Sequence, residues 1–106
     1  MATRAATIEH LLAQLERLPR VNARKMFGEY VLYCEGKVVA LVCHDRLFLK
    51  PTPSARARLG REPADAPYPR AKPHLLVPGE DWDDADALCD LVRSVAAELP
   101  EPKKSR

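Results

Sequence analysis

Two cysteines and two glycines give one short stretch the residue types of a ligand site. The stretch is RKMFGEYVLYCEGKVVALVCHDRLFLK, residues 24–50, and it holds Gly28, Cys34, Gly36 and Cys43. Thiolates are ligands of structural zinc, and glycine-rich loops bring backbone amides close to a phosphate. Neither glycine, however, belongs to a G-x-G-x-x-G or G-x-x-x-x-G-K-[ST] motif. We therefore predict that Gly36 serves a turn and that Gly28 allows a bend or a close approach where the first strand begins, and the thiols have to be tested against the fold.

The three histidines give no pattern that indicates catalysis. His10 falls on a predicted helix, His44 in a hairpin loop and His74 at the start of a strand. No spacing places any of them beside a nucleophile or an orienting carboxylate. The carboxylates between Glu80 and Asp90 are typical of a helix start with a solvated face. We predict no catalytic residue, no cofactor-binding residue and no metal ligand, and a protein that is not an enzyme.

Amphipathic helices are predicted near both ends of the chain. The segment ATIEHLLAQLERLPR has leucine and isoleucine at helical spacing and stops before Pro19. The segment WDDADALCDLVRSVAAELP repeats this pattern, with Asp83 as the predicted N-cap and Pro100 as the stop. Residues 1–100 are predicted to form a single domain, and residues 101–106 a disordered tail.

Three β-branched and aromatic runs between these helices predict an antiparallel meander. The runs are YVLYC, KVVALVC and RLFLK, and they are separated by Glu35-Gly36 and His44-Asp45, which fit two-residue hairpin loops. The next segment predicts a short helix capped by Thr52 and Gly60, and HLLV predicts a fourth strand at an edge. The predicted fold class is α+β with two layers: an antiparallel sheet of four or more strands, with the N- and C-terminal helices packed on one face.

The predicted loops set a register that tests the metal hypothesis. If Glu35-Gly36 is the first loop, Leu32 pairs with Val39, and Cys43 lies about six residues along the ladder from Cys34. At ~3.3 Å per residue this separation is roughly 20 Å. It is too long for a shared metal ion or a disulfide.

The same register predicts that one sheet face packs under the helices and that the other has an apolar middle and a basic rim. Such a patch is typical of a contact surface. The predicted partner or dimer surface consists of Tyr30, Leu32, Val39, Leu41 and Phe48. The predicted basic rim consists of Arg24, Lys25, Lys37, Arg46, Lys50, Arg70 and Lys72. The alternative is that the short helix or the proline-rich loop covers this face.

Composition and charge are those of an ordinary globular domain. Of 106 residues, 46% are hydrophobic and 30% are charged. Residues 1–78 hold thirteen Lys and Arg against seven Asp and Glu, whereas residues 79–106 hold four against eight. No apolar run approaches the ~20 residues of a membrane span, and three cysteines do not suggest a secreted disulfide scaffold. We expect a cytoplasmic protein with reduced thiols and no membrane contact.

The order of motifs along the chain resembles the N-terminal domain of the TfoX/Sxy family, the regulators of bacterial competence. The matching segments are RKMFGEYVLYCEG, RLFLK and PYPRAKP with the C-terminal helix, from about Val21 to Leu99. The family-motif residues, expected to be mainly structural, are Met26, Phe27, Gly28, Gly36, Lys50, Tyr68, Lys72 and Pro73. Met26 and Phe27 are expected to pack inward. The family often has a glycine at the place of Glu29 and an aromatic residue at the place of Val39, so the resemblance implies a divergent member.

The resemblance implies a bacterial cytoplasmic protein without enzymatic activity. Long competence regulators carry a separate helical C-terminal domain, whereas this chain ends at Arg106, so we expect a stand-alone regulatory module. The preferred hypothesis is a protein-interaction module that binds an unidentified protein partner or itself as a homodimer. The alternative is weak nucleic-acid binding through the basic residues of the first 78 positions. The sequence pI of about 8.5 is below the value of ~9 that is common for such binders.

Overall fold

A computed structural model describes residues 3–100 of the chain. The elements in chain order are α1 (Ala5–Gln14), β1 (Val21–Met26), β2 (Glu29–Cys34), β3 (Lys37–Cys43), β4 (Arg46–Leu49), α2 (Pro53–Leu59), β5 (Leu75–Val77), a 3₁₀ helix (Gly79–Asp83) and α3 (Ala85–Glu98). The strands form one five-stranded antiparallel sheet in the order β1-β2-β3-β4-β5. The predicted α+β class is therefore confirmed, and the predicted tail at 101–106 lies outside the described residues.

The helices bury their apolar stripes against one face of this sheet. Leu11 and Leu15 of the first helical segment join Val92 and Val95 of α3 in a single core cluster. Two rows of paired residues across the strands supply the sheet side of this core, apart from the exposed Lys25 at the edge. They are Ala23–Leu32–Ala40–Leu49–Leu75 and Lys25–Tyr30–Val42–Leu47–Val77. We call this side of the sheet the inner face and the opposite side the outer face.

The caps of the later helices follow largely from the sequence. The Thr52 hydroxyl accepts a hydrogen bond from the Ala55 N–H, and Gly60 ends α2 in the left-handed region at φ 66°. The predicted N-cap of α3 was one residue too early. Asp83 ends the preceding 3₁₀ helix, and it is Asp84 whose carboxylate accepts from the Ala87 N–H at 3.1 Å.

Three two-residue turns connect the first four strands. The turn residues all have positive φ: 53° and 81° at Phe27-Gly28, 54° and 81° at Glu35-Gly36, and 54° and 59° at His44-Asp45. Positive φ at both positions defines the type I′ turn, whose twist matches that of the flanking strands. The second and third turns are the loops that the sequence predicted. The first turn and strand β1 were not predicted, because VNARKM has few β-branched or apolar residues.

A β-bulge at Val39 corrects the predicted register. Cys34 pairs with Lys37 and Tyr33 with Val38 as expected, but Leu32 then pairs with Ala40, so Val39 is an extra residue on β3. Because side chains alternate between faces, the extra residue exchanges the faces of all of β2, and of Lys37 and Val38, relative to the part of β3 that follows the bulge. The prediction that Leu32 and Val39 lie on the face away from the helices is therefore wrong. Both lie in the core, 0% and 1% exposed.

Candidate interaction surface

The outer face is built around one row of paired side chains that crosses all five strands. The row is Arg24–Val31–Leu41–Phe48–Leu76. Val31 and Phe48 are buried, whereas Leu41 and Leu76 are half-buried. This face is therefore apolar in its middle, as predicted, although Val31 and Leu76 had not been placed on it.

Part of the outer face is covered by the proline-rich segment between α2 and β5, the alternative that the sequence left open. Asp65 and His74 pair as an isolated antiparallel bridge, with the His74 N–H donating to the Asp65 carbonyl oxygen at 2.7 Å. Within this segment Pro67 is buried, while Tyr68 is 55% exposed. The cover is therefore incomplete.

An apolar groove of about 470 Å³ remains between this segment and the β1–β2 turn, and we call it the outer-face groove. Its lining residues are Met26, Phe27, Glu29, Tyr30, Val31, Leu41, Cys43, His44, Pro67 and Tyr68. Three large apolar side chains are exposed in residues 3–100, and all three line this groove: Met26 at 45%, Tyr68 at 55% and Phe27 at 99%. The expectation that Met26 and Phe27 pack inward is therefore wrong.

Hydrogen bonds to the Glu29 carboxylate fix the wall of the groove beside the β3–β4 turn. The Glu29 carboxylate accepts hydrogen bonds from the Thr3 hydroxyl at 2.6 Å and from the His44 N–H at 3.1 Å. Desolvation acts to raise the pKa of Glu29, but these hydrogen bonds outweigh it and hold the pKa below its usual value. Glu29 is thus an ionised anchor of the groove wall and not a candidate acid catalyst.

The cysteines are separated by the fold, although not in the way that the sequence suggested. Cys34 lies in the core cluster of the inner face, whereas Cys43 lines the groove on the outer face, so the two are not on one face as predicted. All three cysteines are free thiols, and burial raises the pKa of each. A raised pKa keeps a thiol protonated and weakly nucleophilic. No group of three His, Cys, Asp or Glu side chains within residues 3–100 is arranged to hold a metal ion.

The predicted basic rim does not form one continuous patch. Arg24 on β1 and Arg46 on β4 stack on aromatic rings of the same outer face but on separate strands, with guanidinium carbons 5.9 Å from the Tyr33 ring centroid and 5.3 Å from that of Phe48. Lys37 was placed wrongly, because its ammonium donates to the Ala96 carbonyl oxygen at 2.8 Å on the helical side. Lys25, Arg70 and Lys72 are exposed, and Lys50 is half-buried beyond the end of β4.

The predicted partner surface is likewise divided. Leu41 and Phe48 are on the outer face, but Phe48 is only 1% exposed. Tyr30 belongs to an inner row and also contributes to the lining of the groove. The residues that sequence reasoning missed are Met26, Phe27 and Tyr68, which were treated as structural members of two distant motifs. Nothing in the sequence linked the two motifs, because 41 positions separate Phe27 from Tyr68.

The fold thus defines the class of this protein. It is a small α+β domain built on a five-stranded antiparallel meander, with helices on one face of the sheet and a groove on the other. Residues 13–99 match the family model of the TfoX N-terminal domain, and the chain belongs to that family. The chain is also 39% identical over 103 residues to an uncharacterized 12.7 kDa protein in the trpE 5′ region of Spirochaeta aurantia. That alignment covers 97% of this chain and 89% of the relative. No helix within residues 3–100 is long and apolar enough to cross a membrane.

Proposed function

We propose that this protein is a non-enzymatic regulatory module that binds a protein partner through the outer-face groove. The family suggests a module like those of competence regulators. The observation that carries the proposal is Phe27, which is almost fully exposed beside an apolar groove in a backbone conformation that phenylalanine rarely adopts.

Phe27 contributes little to folding. A left-handed φ is unfavourable for a bulky residue, and at 99% exposure the ring gains almost nothing from burial. The equivalent positions in the other two turns hold the polar residues Glu35 and His44. Exposed apolar side chains that cluster around a groove are typical of protein contact sites, where aromatic residues carry much of the binding energy.

The groove also indicates the chemistry of the partner. Its floor of Val31 and Leu41 favours an apolar side chain, while Arg24 and Arg46 on the same face favour flanking carboxylates. We therefore expect a partner segment with one or two large apolar residues flanked by acidic ones. Self-association is less well supported, because two copies would bring the same arginines together.

Nucleic-acid binding is a weaker alternative. Lys37 is turned to the helical side, and Arg56 forms an ion pair with Glu62 at 2.7 Å, so the positive charge is dispersed around the molecule. Phosphate-driven binding of a 20-base-pair duplex would weaken steeply between about 50 and 200 mM salt. We expect that binding of this duplex to the protein shows no such steep dependence on salt concentration.

Site-specific photo-cross-linking tests the proposal. A benzophenone amino acid is placed at position 27 or, as a matched control, at position 35, which has nearly the same φ (54° against 53°) and is also exposed. In cells of the source organism we expect a discrete adduct from position 27 alone, and its loss when Tyr68→Glu is added. Equal adducts from both positions, no adduct from position 27, or an adduct that survives Tyr68→Glu would contradict the proposal. An adduct of twice the chain mass would identify self-association instead.

A further inference from the structure

The two edge strands of the sheet differ in length and in the hydrogen bonds that their backbone groups accept. At the β5 edge, which is three residues long, the Arg61 guanidinium donates to the Leu76 carbonyl oxygen and the Trp82 indole N–H to that of Val77, both at 3.1 Å. At the other edge, β1 is six residues long, and four of them are exposed. The β5 edge is therefore short, and two of its carbonyl oxygens accept hydrogen bonds from side chains. The β1 edge is longer, and most of its residues are exposed to solvent.

The turn geometry fixes which backbone groups of β1 face outward. Met26 and Glu29 close a two-residue turn, and the Glu35 N–H donates to the Arg20 carbonyl oxygen at 3.1 Å. In an antiparallel pair the bonding residues alternate, so the even-numbered residues of β1 bond to β2. The N–H and C=O groups of Val21, Ala23 and Lys25 point the other way. Within residues 3–100 no other group bonds to them.

The charge at this edge indicates what pairs with it. Arg20, Arg24 and Lys25 are exposed, and no carboxylate within residues 3–100 lies at ion-pair distance from them. Lysine on an edge strand opposes pairing between identical edges, because like charges would face each other. An acidic strand, by contrast, would gain both the backbone bonds and charge complementarity.

We propose that β1 binds an extended acidic segment of a partner protein by strand addition. The three outward-facing residues of β1 supply the backbone hydrogen bonds. Arg24 on the outer face and Lys25 on the inner face then lie beside the alternate side chains of the added strand, which favours glutamate or aspartate on both faces. This inference goes beyond the proposed function, since it requires neither Phe27 nor Tyr68.

Amide hydrogen exchange of the ¹⁵N-labelled protein provides the test. The probe is the blocked peptide TEVEEVET, whose glutamates fall on both faces of an extended strand, and its controls are the same peptide with lysine in place of glutamate and a version N-methylated at alternate residues. A saturating amount of probe should slow exchange at Val21, Ala23 and Lys25 by at least about tenfold. Exchange at Asn22 and Arg24, which already bond to β2, should be nearly unchanged. Both control peptides should bind at least about tenfold more weakly.

A variant of the protein gives an independent arm. Ala23→Pro removes an outward N–H, and proline is tolerated on an edge strand where the N–H faces solvent. We expect it to weaken probe binding at least about tenfold, whereas Ala23→Ser, which keeps the N–H, and Phe27→Asn should bind as the wild type does. Should Ala23→Pro fail to fold, the N-methylated peptide on the wild-type protein gives the same comparison.

Several results would overturn strand addition. They are equally tight binding of the N-methylated peptide, full binding by a folded Ala23→Pro variant, exchange protection that does not alternate along β1, and no saturable binding at about 1 mM probe. Absence of the cross-link at position 27 would refute partner binding at the outer-face groove, but it would not affect the evidence for strand addition at β1.

Discussion

The Asp45 carboxylate accepts a hydrogen bond from the Thr7 hydroxyl at 2.7 Å, across 38 positions of sequence. The same oxygen accepts from the Arg4 backbone N–H at 2.9 Å. Helix α1 has no side-chain cap from its own N-cap residue, Arg4. A carboxylate from the β3–β4 turn therefore caps this helix from across the fold and ties the first helix to the sheet.

Replacing Asp45 should destabilise the fold in a pH-dependent way. The hydrogen bond from Arg4, followed by that from Thr7, lowers the pKa of Asp45 in the folded protein. A lowered folded pKa gives stability that is present above the unfolded pKa of about 3.9 and is lost as the pH falls through the folded value. We expect Asp45→Asn, which suits the left-handed turn, to lower the Tm by about 5 °C at pH 7. The difference should shrink below about pH 4, and a constant difference at pH 3 would contradict this role.

Replacing Phe27 with asparagine should stabilise the isolated protein. Asparagine is favoured at the first position of a type I′ turn, and the exposed ring contributes no packing to lose. We expect a gain of about 0.5–1 kcal/mol in the free energy of unfolding, measured by urea denaturation. Glu35→Asn, at the matched position of the next turn, should give a similar gain. Destabilisation by Phe27→Asn with stabilisation by Glu35→Asn would show that Phe27 packs in the folded protein.

His74 should make stability fall in mildly acidic solution. Its Nδ1–H donates to the Lys72 carbonyl oxygen at 2.8 Å, while Nε2 is buried without a partner among the described residues. Burial, and secondarily the charge of Lys50, lowers the pKa of this imidazole. Between the lowered folded pKa and the unfolded value of about 6.5, the unfolded chain binds more protons, so stability decreases as the pH falls through that window.

The measurement is a series of urea denaturations between pH 7.5 and pH 5. His74→Asn keeps a donor for the Lys72 carbonyl oxygen and should be less stable than the wild type at every pH. Its free energy of unfolding should not decrease as the pH falls from 7.5 to 5. His10→Asn, at a half-exposed site, should keep this decrease. If the unfolding free energy of His74→Asn depended on pH as steeply as that of the wild type, a group other than His74 would cause the loss of stability. Because His74 pairs with Asp65, we expect this loss to accompany loosening of the segment that carries Tyr68.

The bulge at Val39 predicts different costs for two leucines that the simple register places on one face. Leu32 is fully buried in the core, whereas Leu41 is half-buried on the outer face. Leu32→Ala should cost about 3 kcal/mol of unfolding free energy and Leu41→Ala about 1 kcal/mol. Equal costs, or a larger cost at Leu41, would indicate the unbulged register.

Local signals in the sequence were sufficient for the elements whose chemistry is local. Thr52, Pro53 and Gly60 define α2 through cap and backbone preferences that act within a few residues. Gly36 marks the β2–β3 turn in the same way, because a positive φ costs glycine nothing. Strand β1 escaped prediction because an exposed edge strand needs little apolar patterning, and VNARKM has little.

The sequence by itself determined the α+β class, the helices, two of the three turns and the family, since periodicity, caps and motif order depend on near neighbours along the chain. The tertiary structure decided which sheet face is buried, because the extra residue at Val39 reverses the alternation of side chains beyond it. It also decided the candidate site. Phe27 and Tyr68 lie 41 positions apart in sequence, and only the packing of the proline-rich segment on the outer face brings them to one groove.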